Sequence, residues 1–388
     1  MEVKARAPGK IILAGEHAVV HGSTAVAASI DLYTYFTFSS ASPSDSNDTL
    51  KLQFKDDALE FSWHIERIKE ALPDLGFPFS STPTTCSAES IKAVATLVEE
   101  KNIPEAKKFL ASGVSAFLWL YACIQGFKPA TVAVTSELPL GSGLGSSASF
   151  CVALAAALLG FSGSVPLDTS HQGWLSYEES DLELLNKWAF EGEKLIHGKP
   201  SGIDNTVSAY GNMIKFRSGS LTRIKSSFPL RMLITNTKVG RNTKALVAGV
   251  SERMLRHHDA MNFIFKAVNS ISEELATILQ SPVHDDHVSV TQTEEKLEEL
   301  MEMNQGLLQS MGVSHASIET VLQTTLKYKL SSKLTGAGGG GCVLTLLPSL
   351  LSTTVLDKVI AELESCGFQC FTAAIGGKGA EVCFNDKP

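Results

Sequence analysis

Pro139-Leu140-Gly141-Ser142-Gly143-Leu144-Gly145-Ser146-Ser147-Ala148 lies between a β-like run at 130–134 and a long apolar segment at 150–159. Three alternating glycines let the backbone adopt positive φ and come close to a ligand. The two serines behind them lead into what reads as a buried helix. The first turn of such a helix carries unpaired N–H groups at the positive end of its dipole, and together these make an anion site. Ser146 or Ser147 can cap that helix, and a serine hydroxyl is also a ligand for Mg²⁺. The stretch reads as a cradle for phosphate.

It is neither of the two common cradles. Gly-x-x-x-x-Gly-Lys-Ser/Thr does not occur, and Gly141-x-Gly143-x-Gly145 is one residue short of the dinucleotide fingerprint. No acidic residue ends a second strand ~20 positions on, where a ribose would be held. A second glycine-rich run, 336–341, does contain Gly-x-Gly-x-x-Gly, but a strand pattern at 342–347 follows it in place of a helix. Such a loop exposes N–H groups near a ligand and can hinge.

The chain has 388 residues, which is long for one compact core and predicts two domains. Hydrophobic residues at 44% and charged residues at 19% leave ample material for a core. The net charge of −8 and the lack of a basic stripe argue against nucleic acid as a partner. An anionic substrate must then be held by local lysines, arginines and Mg²⁺. Seven cysteines, at 86, 123, 151, 342, 366, 370 and 383, form no Cys-x-x-Cys pair. They read as reduced, mostly buried small hydrophobes in a reducing compartment. The chain enters strand-like sequence from residue 3 with no signal-peptide pattern, and its end carries no lipidation motif. The apolar run 150–161 is shorter than the ~20 residues of a membrane span. The expectation is a soluble, cytoplasmic protein with no membrane partner.

Strands are expected at 3–14 and 24–38, with a polar run at 39–49 as a hairpin tip. Segments 104–125 and 148–160 read as buried helices and 182–197 as an amphipathic one. A strand returns at 231–237, and 243–327 is mainly amphipathic helix. Strands near 342–347 and 368–385 flank a helix at 351–364. A composition shift near 225–230 marks the boundary between the domains, 1–228 and 229–388.

Several polar groups stand where chemistry could use them. Lys10 follows Ala7-Pro8-Gly9, which should expose its ammonium at a turn. Glu193 and Asp204 flank a turn broken by Gly198, Pro200 and Gly202; carboxylates suit Mg²⁺ and can accept a proton from an attacking hydroxyl. Lys238, Arg241 and Lys244 gather at a strand-to-helix junction, where an acidic protein needs positive charge to hold an anion. His17 and His21 are four apart, which suggests zinc, but the pattern is not His-Glu-x-x-His and no third ligand is near. The cluster 284–287, His-Asp-Asp-His, follows Ser281-Pro282 and reads as a solvated loop.

The stretch 139–148 resembles the phosphate-binding signature of the galactokinase, homoserine kinase, mevalonate kinase and phosphomevalonate kinase superfamily. The run 7–17, Ala-Pro-Gly-Lys-Ile-Ile-Leu-Ala-Gly-Glu-His, is similar to its first motif, and 333–342, Lys-Leu-Thr-Gly-Ala-Gly-Gly-Gly-Gly-Cys, to its third. The segments 200–205, Pro-Ser-Gly-Ile-Asp-Asn, and 236–244, Asn-Thr-Lys-Val-Gly-Arg-Asn-Thr-Lys, resemble the mevalonate kinase branch. Gly240 departs from the proline expected in animal relatives, which loosens the turn and leaves the neighbouring side chains in place.

The resemblance implies an α/β (α+β) fold of two domains with the active site in the cleft between them. It implies transfer of the γ-phosphoryl group of ATP to the 5-hydroxyl of (R)-mevalonate. Asp204 is the implied base and Lys10 its partner. ATP contacts fall to Lys10, Ser136, Gly141, Ser142, Gly143, Leu144, Gly145, Ser146 and Ser147. Mg²⁺ falls to Ser147 and Glu193, and the substrate to Glu16, His17, Asp204, Thr243 and Ala337. Feedback inhibition by prenyl diphosphates is implied too, and 243–327 could supply a homodimer face. Phosphomevalonate kinase and other relatives share the first and third motifs, so a substrate panel decides between them. Some superfamily members are ligand sensors without turnover; this chain keeps the lysine, the Mg²⁺ carboxylate and the base.

Overall fold

The computed structural model describes residues 2–40, 48–73, 75, 82–226, 228–282 and 286–385. Most of the tip expected at 39–49 lies outside these residues, as do His284 and Asp285. The described strands are β1 (Glu2–Ala14), β2 (Ala25–Ser40), β3 (Thr49–Phe54), β4 (Leu59–His64), β5 (Ala130–Ser136), β6 (Leu175–Ser176), β7 (Met213–Arg217), β8 (Ser220–Ile224), β9 (Leu230–Asn236), β10 (Ser332–Leu334), β11 (Cys342–Leu346), β12 (Gln369–Ile375) and β13 (Glu381–Asn385). The helices are α1 (Ile65–Ala71), α2 (Ala88–Glu99), α3 (Ala111–Gln125), α4 (Ser146–Ser162), α5 (Glu179–His197), α6 (Ile203–Tyr210), α7 (Thr243–Arg256), α8 (His258–Gln280), α9 (His287–Met311), α10 (Ala316–Leu326) and α11 (Thr353–Ser365).

The long antiparallel pair of β1 and β2 is the spine of a mixed sheet whose main path runs β10-β11-β9-β12-β2-β1-β13-β6. The far half of β2 pairs with β5 and its near half with β7, while Ile30 between them meets Ile375 of β12. In β1 the alternation of Val3, Ala5 and Ala7 as buried residues gives way to continuous burial through Lys10. That change marks where the strand passes from one covered face to two. The last strand, β13, returns to β1 with Val3 opposite Phe384, so the carboxy-terminal part of the chain completes the amino-terminal sheet.

Helix α4 is apolar on all sides because it is buried on all sides, packed on β1 and β2 and flanked by α3, α5 and α6. A second core lies under α8 and α9, where Leu275, Leu297 and Met301 cover Leu230, Met232 and Leu344. The mixed α/β class expected from the sequence is what the chain forms.

The helix expected at 104–125 opens as a 3₁₀ turn over Glu105–Leu110, and α3 begins only at Ala111. This segment, rather than 150–161, is long and apolar enough to cross a membrane, yet Val114 and Ala116–Ala122 are buried in the core. The hairpin β3–β4, helices α1 and α2 and the hairpin β7–β8 went unread in the sequence. Of the seven cysteines only Cys151 and Cys342 are fully buried, and Cys366 is exposed. The expectation that most are buried is corrected: four of the seven sit half-covered.

Candidate active site

The phosphate loop lies directly on β1, and a glycine makes that possible. A Cβ at Gly9 would stand 2.5 Å from Leu138 Cδ2 and 2.8 Å from the Leu144 carbonyl oxygen. The Lys10 N–H donates to that same carbonyl at 2.8 Å. Gly141, Gly143 and Gly145 all have positive φ, at 70°, 87° and 75°. The Ser142 hydroxyl folds back onto the Pro139 carbonyl at 2.7 Å. Gly145 is the left-handed N-cap of α4, and a Cβ there would meet Lys10 Cγ at 2.7 Å. The lysine stem therefore crosses the loop where the α4 N-terminus opens. Two hydroxyls fix the strand from behind: Ser149 of α4 donates to the Ala7 carbonyl at 2.7 Å and Ser208 of α6 to the Pro8 carbonyl at 2.6 Å.

Lys10 is not at a turn, as its position after Pro-Gly suggests. It sits inside β1, just after a bulge where the register steps from Pro8 opposite Tyr33 to Gly9 opposite Ile30, and it is 6% exposed. Pro8 and Gly9 serve the bulge and the loop contact, and the strand runs on through them.

Its ammonium is 3.1 Å from Asp204 Oδ1. Asp204 stands in the first turn of α6, behind Gly202 at φ 80°. Glu193 comes from α5 and is buried, with Oε1 lacking a hydrogen-bond partner. Gly192 brings it in: a Cβ there would lie 2.9 Å from Cys151 Sγ and 3.0 Å from Leu120 Cδ1, so α5 can approach α4 only with glycine. Burial, then the charge of Asp204, pushes the Glu193 carboxyl up to about 7, against the opposing pull of Ser147 and Lys10. The Ser147 hydroxyl lies 2.9 Å from His197 Nε2, which is 3.9 Å from Glu193 Oε1. One cation, two carboxylates and a hydroxyl thus meet at a helix N-terminus.

A carboxyl raised on folding has a definite effect on stability. The folded state holds a proton at Glu193 that the unfolded chain releases near its ordinary value, so stability is greatest below that value and falls as pH rises toward 7. The loss is roughly 3 kcal/mol. Thermal melting from pH 5 to pH 8, without nucleotide, should show this slope in the native protein and lose it in Glu193→Gln.

At the other end, Glu16 of the first motif is turned inward. Its carboxylate lies 2.5 Å from Lys333 Nζ and accepts from Asn304 Nδ2 at 3.3 Å, and the residue is buried. His17 donates from Nε2 to the Ala337 carbonyl at 2.8 Å, which joins the first motif to the third. Burial holds the His17 imidazole below its ordinary range, so it is neutral. His21 stacks on Phe265 at 4.4 Å between ring centroids, apart from any site with His17. Among the described residues no group of three or more His, Cys, Asp or Glu is placed to hold a metal by itself.

Arg241 reaches between the two glycine loops. A Cβ on Gly143 would collide with its guanidinium, and one on Gly341 would lie 2.7 Å from Nη1. It donates to the Thr335 carbonyl at 3.3 Å. Burial lowers its pKa, with no carboxylate among the causes. Thr243 is exposed at the first position of α7, whose cap is Asn242. Ser136 ends β5, with its hydroxyl 2.9 Å from that of Thr34. Gly240 has nothing within 4 Å of a Cβ. Sequence reasoning missed Lys333, Asn304, Ser149, Ser208 and the packing role of Gly192. A serine in the apolar α4 and a lysine inside the buried strand β10 were the signals available.

Two family models match the chain: the GHMP kinases N terminal domain over residues 112–212 and the GHMP kinases C terminal over 289–352. The chain is 68% identical to the mevalonate kinase of Arabidopsis thaliana over 386 residues, 99% of this chain and 100% of that one. It is 39% identical to the mevalonate kinase of Homo sapiens, covering 97% and 93% of the two chains. Its fold is similar to the solved mevalonate kinase of Methanococcus jannaschii, with TM-score 0.69 at 22% identity over 97% of this chain and 98% of that one. The L. major mevalonate kinase solved with R-mevalonate gives 0.68 at 22% identity, over 97% and 96%.

Proposed function

The chain belongs to the GHMP kinases, in their mevalonate kinase branch, and is an ATP-dependent phosphotransferase of isoprenoid biosynthesis; on that premise we propose how its residues phosphorylate the 5-hydroxyl of (R)-mevalonate. The observation that carries the assignment of roles is the Lys10–Asp204 pair at 3.1 Å beside the glycine loop. Phosphoryl transfer asks the protein mainly for positioning and for charge stabilisation. Asp204 takes the proton of the attacking hydroxyl. Lys10 holds the aspartate in place and offers positive charge to the transferring group. The backbone N–H groups at Gly141 to Ser147, with Leu144 as the loop's apolar anchor and Ser136 at its base, cradle the phosphates of ATP.

Mg²⁺ fits the remaining groups. Glu193 keeps a buried carboxylate oxygen without a partner, and the Ser147 hydroxyl and the Asp204 charge are its neighbours. Mg²⁺ favours hard oxygens and is held by one or two carboxylates together with substrate phosphates. Glu193 and Ser147 would hold it, and it would supply positive charge to offset that of the phosphates.

For mevalonate we assign the wall formed by His17, Ala337 and Thr243, with Glu16 behind it and Asp204 at the reacting hydroxyl. His17 Nε2 is bonded to the Ala337 carbonyl while its Nδ1 has no hydrogen-bond partner, so a substrate hydroxyl donates to Nδ1. His17→Ala should raise KM for mevalonate by about one to two orders of magnitude and leave KM for ATP near its native value, a polar group left unpaired being worth roughly 1–3 kcal/mol. A rise in KM for ATP alone would reverse the placement of the two substrates.

The division at 228/229, between β8 and β9, belongs to the same reading, as does a cytoplasmic location. Exposed Leu255, Phe263 and Met303 on α7, α8 and α9 support a homodimer face there. Prenyl diphosphates would act as feedback inhibitors by offering a diphosphate to the glycine loop. An ATP-consumption assay with mevalonate, 5-phosphomevalonate, homoserine and galactose side by side tests the whole: turnover should require mevalonate.

A further inference from the structure

His17 sits in a backbone conformation that the chain would not choose unaided. Its φ of 59° and ψ of −48° fall outside the left-handed helical well, and the Ala18 N–H donates to the Glu16 carbonyl at 2.6 Å across it. This is the three-residue turn with positive φ at its centre, a rare and strained form for a residue with a side chain. Such strain persists only where the surroundings over-determine it. Here they do so on three sides. Gly15, at φ 101°, packs so tightly that a Cβ would lie 2.4 Å from Ala25 Cα. Glu16 is locked by Lys333 of β10 and Asn304 of α9, and both members of the ion pair have almost no exposed side-chain surface. Lys333 is itself tied to the Leu334 carbonyl at 2.7 Å. His17 then reaches the Ala337 carbonyl, four residues after Lys333.

We propose that the buried Glu16–Lys333 pair is a positioning device: it holds His17 in its strained turn, so that the imidazole is presented to the mevalonate pocket and joined to the third glycine loop. Glu16 itself does not touch substrate. Its position next to His17 in sequence converts an ion pair made 317 residues apart into the orientation of a ring. The same pair links an amino-terminal strand end to a carboxy-terminal strand at the pocket. A buried ion pair is poor evidence for stability, since a well-packed neutral pair often replaces it without loss, whereas removing one partner strands the other charge. That distinction supplies the test. The inference rests on the placement of mevalonate beside His17.

Lys333→Met alone would leave Glu16 buried and unpaired, and folding could fail. The double variant Glu16→Gln/Lys333→Met keeps shape and the Asn304 contact without either charge. It should fold, with a melting temperature close to that of the native protein. Its KM for mevalonate should rise about tenfold or more, with KM for ATP within about twofold and kcat at saturating mevalonate within about threefold. Isothermal titration with mevalonate should show the same weakening. A folded double variant with native KM for mevalonate would overturn the proposal. So would a parallel rise of both KM values with a fall in kcat and in the melting temperature, which is what a merely structural role predicts. His17→Ala, run alongside, separates the two readings. If that variant leaves KM for mevalonate unchanged, the pocket placement is wrong and the proposal falls with it. If it raises KM and the double variant does not, the placement stands and the proposal alone fails.

Discussion

Asp204→Asn lowers kcat by ~10²–10⁴ while ATP affinity stays near that of the native protein, the range expected when a general base is lost. The amide keeps the shape of the carboxylate but cannot accept the hydroxyl proton. The variant should fold, because the Asp204 side chain is about a third exposed. The loss could exceed the base alone, since the ammonium would then be drawn toward Glu193 and away from the transferring group. Single-turnover phosphorylation and a fluorescence titration with ATP, done on one preparation, separate chemistry from binding. A variant that keeps most of the native kcat would remove Asp204 from the reaction.

Much of this arrangement was legible in the sequence because the chemistry needs unusual residues in a fixed order. Alternating glycines ahead of two serines imply positive φ and a helix start, and the structure has both at 141–146. The element order followed from periodicity wherever segments were long, as in β1, β2, α4 and α5. What periodicity could not give were short pieces whose burial depends on neighbours, such as the β3–β4 and β7–β8 hairpins. Lys10 shows the same limit at the site. Pro-Gly before a lysine reads locally as a turn, yet the phosphate loop lies on that glycine and the strand runs on past it through a bulge. Glu16 is a further case. Its partner Lys333 is distant in sequence, and only the fold shows that the charge is already neutralised. Gly192 looks like a weak point in a helix until Cys151 and Leu120 are seen packed on it.

Glu193→Gln should move activity and stability in opposite directions. The buried carboxylate is costly to ionise, and its oxygen Oε1 has no partner in the protein. Replacing it by an amide removes that cost, so at pH 8 the variant without nucleotide should melt above the native protein. The same substitution removes the charged ligand proposed for Mg²⁺. Losing the few kcal/mol of charge stabilisation that a metal supplies lowers kcat/KM for Mg-ATP by ~10²–10³-fold. Ser147→Ala removes the second ligand and should cost less, since a hydroxyl is the weaker donor. If both hold one ion, the double variant should be little worse than Glu193→Gln alone, because an ion already lost cannot be lost twice. Effects on kcat/KM that simply add would place the two side chains at separate sites, and a fall in melting temperature with Glu193→Gln at pH 8 would mean that the carboxylate is neutralised in the native protein by a group other than the metal.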